Sequence, residues 1–413
     1  MYLGEARATI LFHNLRKTPP EFRQCCSGQT LYSTNSQEAN FHKRPRKASL
    51  SFKKGSARFL LLVAILVSLA LVACVGRVQS PDGGWSGPVV VEDQLYIAAR
   101  DGRVLRLDRE EAGQSQINWS FPLSAKEDLE VVYGSPAVSA DTVYVGRFNG
   151  NVEAIDLVGI DSRILGQTDG PIIGGPILTG GKVVVGSSDG SLYAWDADSE
   201  NLQPAWVFET GDNIWSTPIS DGETVYFGSM DKNFYAVSLE DGTEKWRYKS
   251  SAAIAGTALL HKGRVYIGNF DSRFFSLNAE SGGLVWEYKT GGWFWSRPIA
   301  DGSTVYAGFL DGKLYALDAN TGQLKWPDPA KADGPILSAP VFVDEWIAFA
   351  SDDEEVHVVQ KKNGLEIWFY NVDAKVRAPL AAADGTVYVS AMDNKIWALD
   401  IPGSVQWQQS TKE

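Results

Sequence analysis

The chain has 413 residues, 44% of them hydrophobic, with 38 Lys and Arg against 50 Asp and Glu. All three cysteines and 11 of the basic residues lie in residues 1–74, beside only three acids (Glu5, Glu21, Glu38), so 27 basic and 47 acidic residues remain in 75–413, a formal charge of −20 behind a front of +8. The acidic part therefore has no thiolate site, no disulfide and no cluster of Lys and Arg for a nucleic-acid backbone, and it is too long and too aromatic for a disordered chain.

Residues 1–58 are polar, lack hydrophobic periodicity and read as a disordered leader. No methionine lies between Met1 and residue 59, and a true start near Leu50 would leave most of this leader, with Cys25 and Cys26, untranslated. From Phe59 to Ala73 runs an apolar stretch broken only by Ser68, behind Lys53, Lys54 and Arg58. This is the basic flank and hydrophobic region of an export signal, short of the roughly 18 residues of a spanning helix, and it directs the remainder of the chain out of the cytoplasm. The closing Leu71-Val72-Ala73-Cys74 resembles a bacterial lipobox, which implies a diacylglycerol on Cys74 as the first mature residue. An uncleaved signal anchor is the alternative, since Cys74, Val75 and Gly76 extend the run. Residues 59–74 are thus the signal and lipobox, and 75–83 a linker.

From Gly84 a unit of about 40 residues recurs eight times, opened by Pro88, Pro136, Pro176, Pro218, Ala258, Pro298, Pro340 and Pro379. Each unit holds four short β-rich runs parted by turn residues. In the sixth they are Pro298-Ile299, 304–308, 313–318 and 323–326, with turns at Asp301-Gly302, Asp311-Gly312 and Thr321-Gly322. Four strands in each of eight units predict an all-β, eight-bladed β-propeller over 84–413. A second register supports the first: Trp119, Trp206, Trp246, Trp286, Trp326, Trp368 and Trp407 recur once per blade, with the second blade lacking its Trp near Leu165. Each ring is expected to stack on the adjoining blade while its indole N–H finds a turn carbonyl.

The run from Ala316 to Trp326, A-L-D-A-N-T-G-Q-L-K-W, resembles the signature of the PQQ-like propeller repeat family, and weaker copies end at Trp246, Trp286 and Trp368. The resemblance covers nearly all of 84–413 and implies the fold more than any chemistry. Within that family, a lipobox followed directly by short blades resembles the lipoproteins of the β-barrel assembly machinery, the BamB family, which are scaffolds without enzymatic activity.

Loops between blades and loops between second and third strands share one face. The latter carry Asp101, Asn149, Asp189, Asp231, Asp271, Asp311, Asp352 with Asp353, and Asp393, either as hairpin chemistry or as a negative funnel around the mouth. The former carry Trp215, Trp293, Phe294, Trp295, Arg297 and Arg377, aromatic and arginine anchors of the kind that dominate protein interfaces. These six residues are the expected partner-binding set, the partners being proteins of the cell envelope, with the membrane reached through the lipid on Cys74 or the signal anchor and the propeller a monomer.

No catalytic, metal or cofactor site is expected. A quinoprotein dehydrogenase, the alternative, would need PQQ with calcium, a catalytic Asp, a vicinal disulfide and long insertions over the channel. Asp196, Asp198 and Glu200 have calcium-loop spacing without the rest of such a loop, and neither His261, placed in a turn, nor His357, placed in a strand, has a partner in sequence. A carbohydrate- or small-ligand-binding propeller is a third reading.

Overall fold

The computed structural model describes residues 84–109, 117–123, 129–159, 161–401 and 403–412; the leader, the apolar run, Cys74 and the linker lie outside the described residues. Eight four-stranded antiparallel sheets follow one another, each built from four consecutive strands in chain order. Blade 1 spans 89–121, blade 2 137–167, blade 3 177–209, blade 4 219–249, blade 5 259–289, blade 6 299–331, blade 7 341–371 and blade 8 381–410. The inner strands of neighbouring blades lie side by side around the axis, and those of blades 8 and 1 meet as well, so the ring closes without exchanging a strand between blades. No helix of the described residues is long and apolar enough to cross a membrane.

The burial pattern reflects this stacking. Second and third strands are covered on both faces by neighbouring blades, so they read as near-continuous apolar runs: in Thr224–Gly228 and Asn233–Ser238 only Ser238 is not fully buried. Outer strands have one covered face, so they alternate, and in Glu244–Lys249 only Trp246 is fully buried. The hydrophobic core is accordingly a series of layers between blades. One unites Leu95, Ile97 and Leu105 of blade 1 with Tyr388, Ile396 and Trp407 of blade 8, and another unites Trp326 of blade 6 with Ile347 and Phe349 of blade 7.

Four seams share one lock. Trp206, Trp246, Trp286 and Trp326 each donate their indole N–H to the carbonyl that opens the last turn of the following blade, on Leu239, Ala279, Ala319 and Lys361, at 2.9–3.0 Å. Tyr226, Tyr266 and Tyr306, in the second strands of blades 4 to 6, donate their hydroxyls to the last three of these carbonyls as well. The ring of each Trp covers a glycine in that same turn, Gly242, Gly282, Gly322 or Gly364, all at positive φ, where an added Cβ would lie 2.5–2.7 Å from the indole. The T-G and the W of the repeat signature thus meet across a seam, each Gly touching the Trp of the blade before it.

The other three tryptophans depart from the expected lock. Trp119 and Trp407 bury an indole N–H with no acceptor among the described residues, and Trp368 is only half-buried, stacked on Tyr370 of its own strand. Two sequence expectations also shift. The outer strand of blade 6 forms at Ala330–Lys331 rather than at 323–326, because Pro327 and Pro329 offer no N–H to the ladder. In blade 2 it is Arg163, not Leu165, that pairs opposite Ala154 in the place where sibling blades put Trp; Leu165 is fully buried instead.

Candidate functional site: the loop face

The acids of the second-to-third turns are first of all turn hardware. Asp189, Asp231 and Asp311 each accept the amide two residues on and the hydroxyl of a tyrosine four residues on, Tyr193, Tyr235 and Tyr315, with the hydroxyl bonds at 2.6–2.9 Å. Burial first and the carboxylate second push Tyr193 and Tyr235 up to about 12. Elsewhere a cation neutralises the turn acid: Arg103 on Asp101, Arg273 on Asp271 and Lys395 on Asp393. A good part of the negative funnel is therefore cancelled within the blades.

Blade 7 replaces the tyrosine of this latch by His357. Its Nε2 faces Asp353 at 3.1 Å and its Nδ1 faces Glu366 at 2.7 Å, while the ring stacks on Phe349. Burial opposes protonation, yet Asp353 and Glu366 outweigh it and raise the imidazole pKa. His357 thus has partners that its sequence neighbourhood did not reveal, and Asp353, Glu355 and His357 form the one His/Cys/Asp/Glu trio among the described residues close enough to share an ion. Asp196, Asp198 and Glu200 do not converge; Asp196 pairs with Lys182. His261 ends the inner strand of blade 5 rather than sitting in a turn.

The six expected partner-binding residues separate into two groups, for a reason that repeats around the ring. In five of the loops between blades the residue four before the inner strand's opening position turns inward as a plug over the glycine that ends the preceding blade's second strand, and in four of them it is isoleucine: Ile172 on Gly146, Ile214 on Gly186, Ile254 on Gly228 and Ile336 on Gly308. Phe294 is that plug in blade 6, fully buried against Gly268, so it does not reach the surface. Two residues before the opening proline, Ser216, Ser296 and Ser338 turn inward to bond the second strand. Arg377 occupies that inward position and is buried in a bidentate pair with Asp352, Nε to Oδ1 at 2.9 Å and Nη2 to Oδ2 at 2.8 Å. Both residues serve the scaffold.

The remaining four converge. Trp293 stacks on Phe270 at 4.8 Å and 13°, Phe270 on Trp295 at 6.1 Å and 17°, and Trp295 meets Trp215 at 6.2 Å. Trp293, Phe270 and Trp295 are half-exposed, whereas Trp215 is nearly covered and anchors its N–H on Ser188. The result is an aromatic wall across blades 4 to 6 at the mouth of the channel. Beside it stands Arg297, one residue before the opening proline of blade 6, where the other loops carry Gly87, Ser135, Gly175, Thr217, Thr257, Ala339 and Ala378. Arg297 is exposed to solvent, yet desolvation by the surrounding protein lowers its guanidinium pKa. It has no carboxylate partner among the described residues. Of the two signs of its setting, solvent contact decides that it is charged.

Phe270 was not among the expected residues. Its signal lay in the position before the turn acid, which is apolar in several blades: Phe148, Met230, Phe270, Leu310 and Met392. A second aromatic pair lies on the loops, Trp85 and Tyr133 with centroids 4.7 Å apart, in blades that have no Trp-x-Trp in sequence.

The fold and the repeat define the class: an eight-bladed propeller of PQQ-like blades. A family model described as outer membrane protein assembly factor BamB matches the chain over 71–248, 167–288, 199–335 and 329–413. The chain belongs to that family. BamB of Burkholderia pseudomallei, an outer membrane protein assembly factor, is 26% identical over 118 residues, which are 29% of this chain and 30% of that protein; the match spans less than a third of that relative's length. The crystal structure of BamB from Moraxella catarrhalis superposes with a TM-score of 0.61 at 19% identity, covering 78% of this chain and 96% of that one. The computationally designed Ika8 protein superposes at 0.66 with 17% identity over 78% of this chain and 98% of its own. Sqt1 of Saccharomyces cerevisiae superposes at 0.60 with 12% identity over 68% and 85%. At such identities these structures share the fold alone.

Proposed function

We propose that this protein is an exported scaffold, anchored to a membrane of the cell envelope through lipid on Cys74, whose loop face binds a protein partner of the outer-membrane assembly apparatus without catalysis. The observation that carries the reading is the half-exposed wall of Trp293, Phe270 and Trp295 beside an Arg297 that has no carboxylate partner among the described residues. Large aromatic rings held by their neighbours lose little freedom on contact, and a guanidinium without a carboxylate gains one from a partner without breaking an ion pair of its own. Family membership supports the assembly role, and the lipobox-like sequence at Leu71–Cys74 supports the tether.

The test is site-specific photo-crosslinking in intact cells, with the probe at Trp293 or Arg297 and a control at the exposed Lys245 on an outer strand. An adduct with one envelope protein at the first two positions and none at the third is the expected result. No adduct, or equal adducts at all three, overturns the reading of the face. Mass spectrometry of the mature N-terminus tests the tether separately: a diacylated Cys74 is expected, and an intact Met1 overturns it.

A further inference from the structure

Arg163 changes more than its own blade. At the seam between blades 2 and 3 its guanidinium replaces the absent indole, donating to the carbonyls of Ala197 and Ser199. Ala197 holds the place that Leu239, Ala279, Ala319 and Lys361 hold at the locked seams, so the acceptor is kept although the donor has changed. The volume of the ring is not kept. Nor is the glycine that such a ring would cover, since the last turn of blade 3 runs Asp198-Ser199-Glu200-Asn201. Trp195, from the third strand of blade 3, closes only the part of the groove nearest Gly166.

What remains is a cavity of about 390 Å³, open to solvent on the face opposite the aromatic wall, lined by Asp141, Asp156, Asp161 and Asp198 around Tyr144 and Arg163. Only 4% of Tyr144 is exposed, and its hydroxyl does not make the bond to the next blade's turn carbonyl that Tyr226, Tyr266 and Tyr306 make beside the indole, although Arg163 reaches that carbonyl. Four exposed carboxylates, three of which also accept from their own turns, therefore surround a phenol whose side-chain partner is Thr142 of its own strand, and the guanidinium in their midst is turned onto backbone oxygens rather than onto any of them.

We infer that this inter-blade cavity is a binding site for an organic cation bearing a guanidinium or primary ammonium group. The carboxylates do not approach one another closely enough to share a metal ion, the trio in blade 7 being the one group among the described residues that does. A ligand that meets them must be extended, with N–H donors spread across the cavity, and the volume lies in the range of small-molecule sites, roughly 300–1,000 Å³. Such a ligand could be a free aminoguanidine-type cation or the basic side chain of a peptide, and two probes separate these sources: agmatine, which carries an ammonium and a guanidinium, and an acetylated glycine–arginine–glycine amide with its citrulline counterpart as the uncharged control.

Calorimetric titration of the full chain is expected to show saturable binding of agmatine or of the arginine peptide, weakening as salt is raised, and none of the citrulline peptide. The tighter of the two names the source. Arg163→Trp seats an indole in the groove as in the sibling blades and is expected to abolish binding without loss of the fold. Tyr144→Phe keeps the packing while removing the hydroxyl, and Asp198→Asn removes one charge; each is expected to weaken binding by about two- to fivefold, the effect of one polar partner at a site open to solvent. Absence of binding above the citrulline control, or binding undiminished in both Arg163→Trp and Tyr144→Phe, overturns the inference.

Discussion

The seams of blades 3 to 7 and the seam between blades 8 and 1 do the same job with different parts. At the former, one indole, one turn glycine and one carbonyl recur four times. At the latter, arginines of blade 1 reach over. Arg103 bonds the carbonyl of Thr411 at 2.5 Å, Arg100 bonds that of Met392, and Arg109 pairs with Asp384 and lies over Tyr388. The indole of Trp407 is buried at that seam without an acceptor among the described residues. The contrast shows that the signature belongs to the interface and not to the blade: where either half is missing, charged side chains bridge the gap from the surface inward.

The comparison can be broken most forcefully at a regular seam. Trp286→Ala removes the ring from Gly322 and the donor from Ala319, and is expected to cost about 3–5 kcal/mol, read as a lowered midpoint in denaturant unfolding. At the closing seam, Arg103→Met deletes the bonds to Asp101 and Thr411 while keeping much of the stem, and a loss of about 1.5–3 kcal/mol is expected in the same measurement. A loss at Arg103 equal to that at Trp286 would show that the two kinds of seam are equivalent.

The latch of blade 7 sharpens the contrast by pH. The folded-state pKa of His357 is raised above its unfolded value of about 6.5, so its contribution to stability is complete below that value and fades as pH rises through the raised pKa. The groups facing it are Asp353, Glu355 and Glu366. His357→Tyr restores the neutral latch of the sibling blades. Melting temperatures measured from pH 5.5 to 9 are expected to fall with rising pH more steeply for the wild type than for this variant, and parallel curves would refute the role of the imidazolium. The smallest effect is expected at Lys232, which holds φ 74° where blades 1, 2, 3 and 6 place Gly102, Gly150, Gly190 and Gly312. Lys232→Gly relieves a left-handed lysine at the expense of a freer unfolded chain, for a net gain of about 0.5 kcal/mol seen as a slightly raised midpoint.

The sequence showed the fold almost completely because the blade repeat is written in residues with narrow tolerances: glycine at most of the positive-φ turn positions, proline at the entrance to seven of the eight inner strands, and tryptophan near the end of seven of the eight blades. It singled out the loops of the candidate face, but it could not sort their residues. Phe294 and Trp295 are neighbours in sequence and opposite in role, since one plugs a glycine and the other meets solvent, and only the repeated inward turn of Ile172, Ile214, Ile254 and Ile336 explains the difference. Arg377 and Arg297 divide in the same way. The cavity beside Arg163 was illegible for another reason: a missing tryptophan is a gap in an alignment, and the residue that fills the gap depends on strand pairing that shifts by one or two residues from the spacing.

Every seam but one is also bridged by peptide chain, and the exception is the arginine-held contact of blades 8 and 1. It behaves as a binding equilibrium between two surfaces tethered through the arc of the other blades. A stiff arc holds those surfaces at a high effective concentration, so a contact too weak to join separate molecules can keep the ring shut. The cost of a less perfect lock at that place is therefore borne by geometry, and any distortion that splays the arc weakens this seam before it weakens the others.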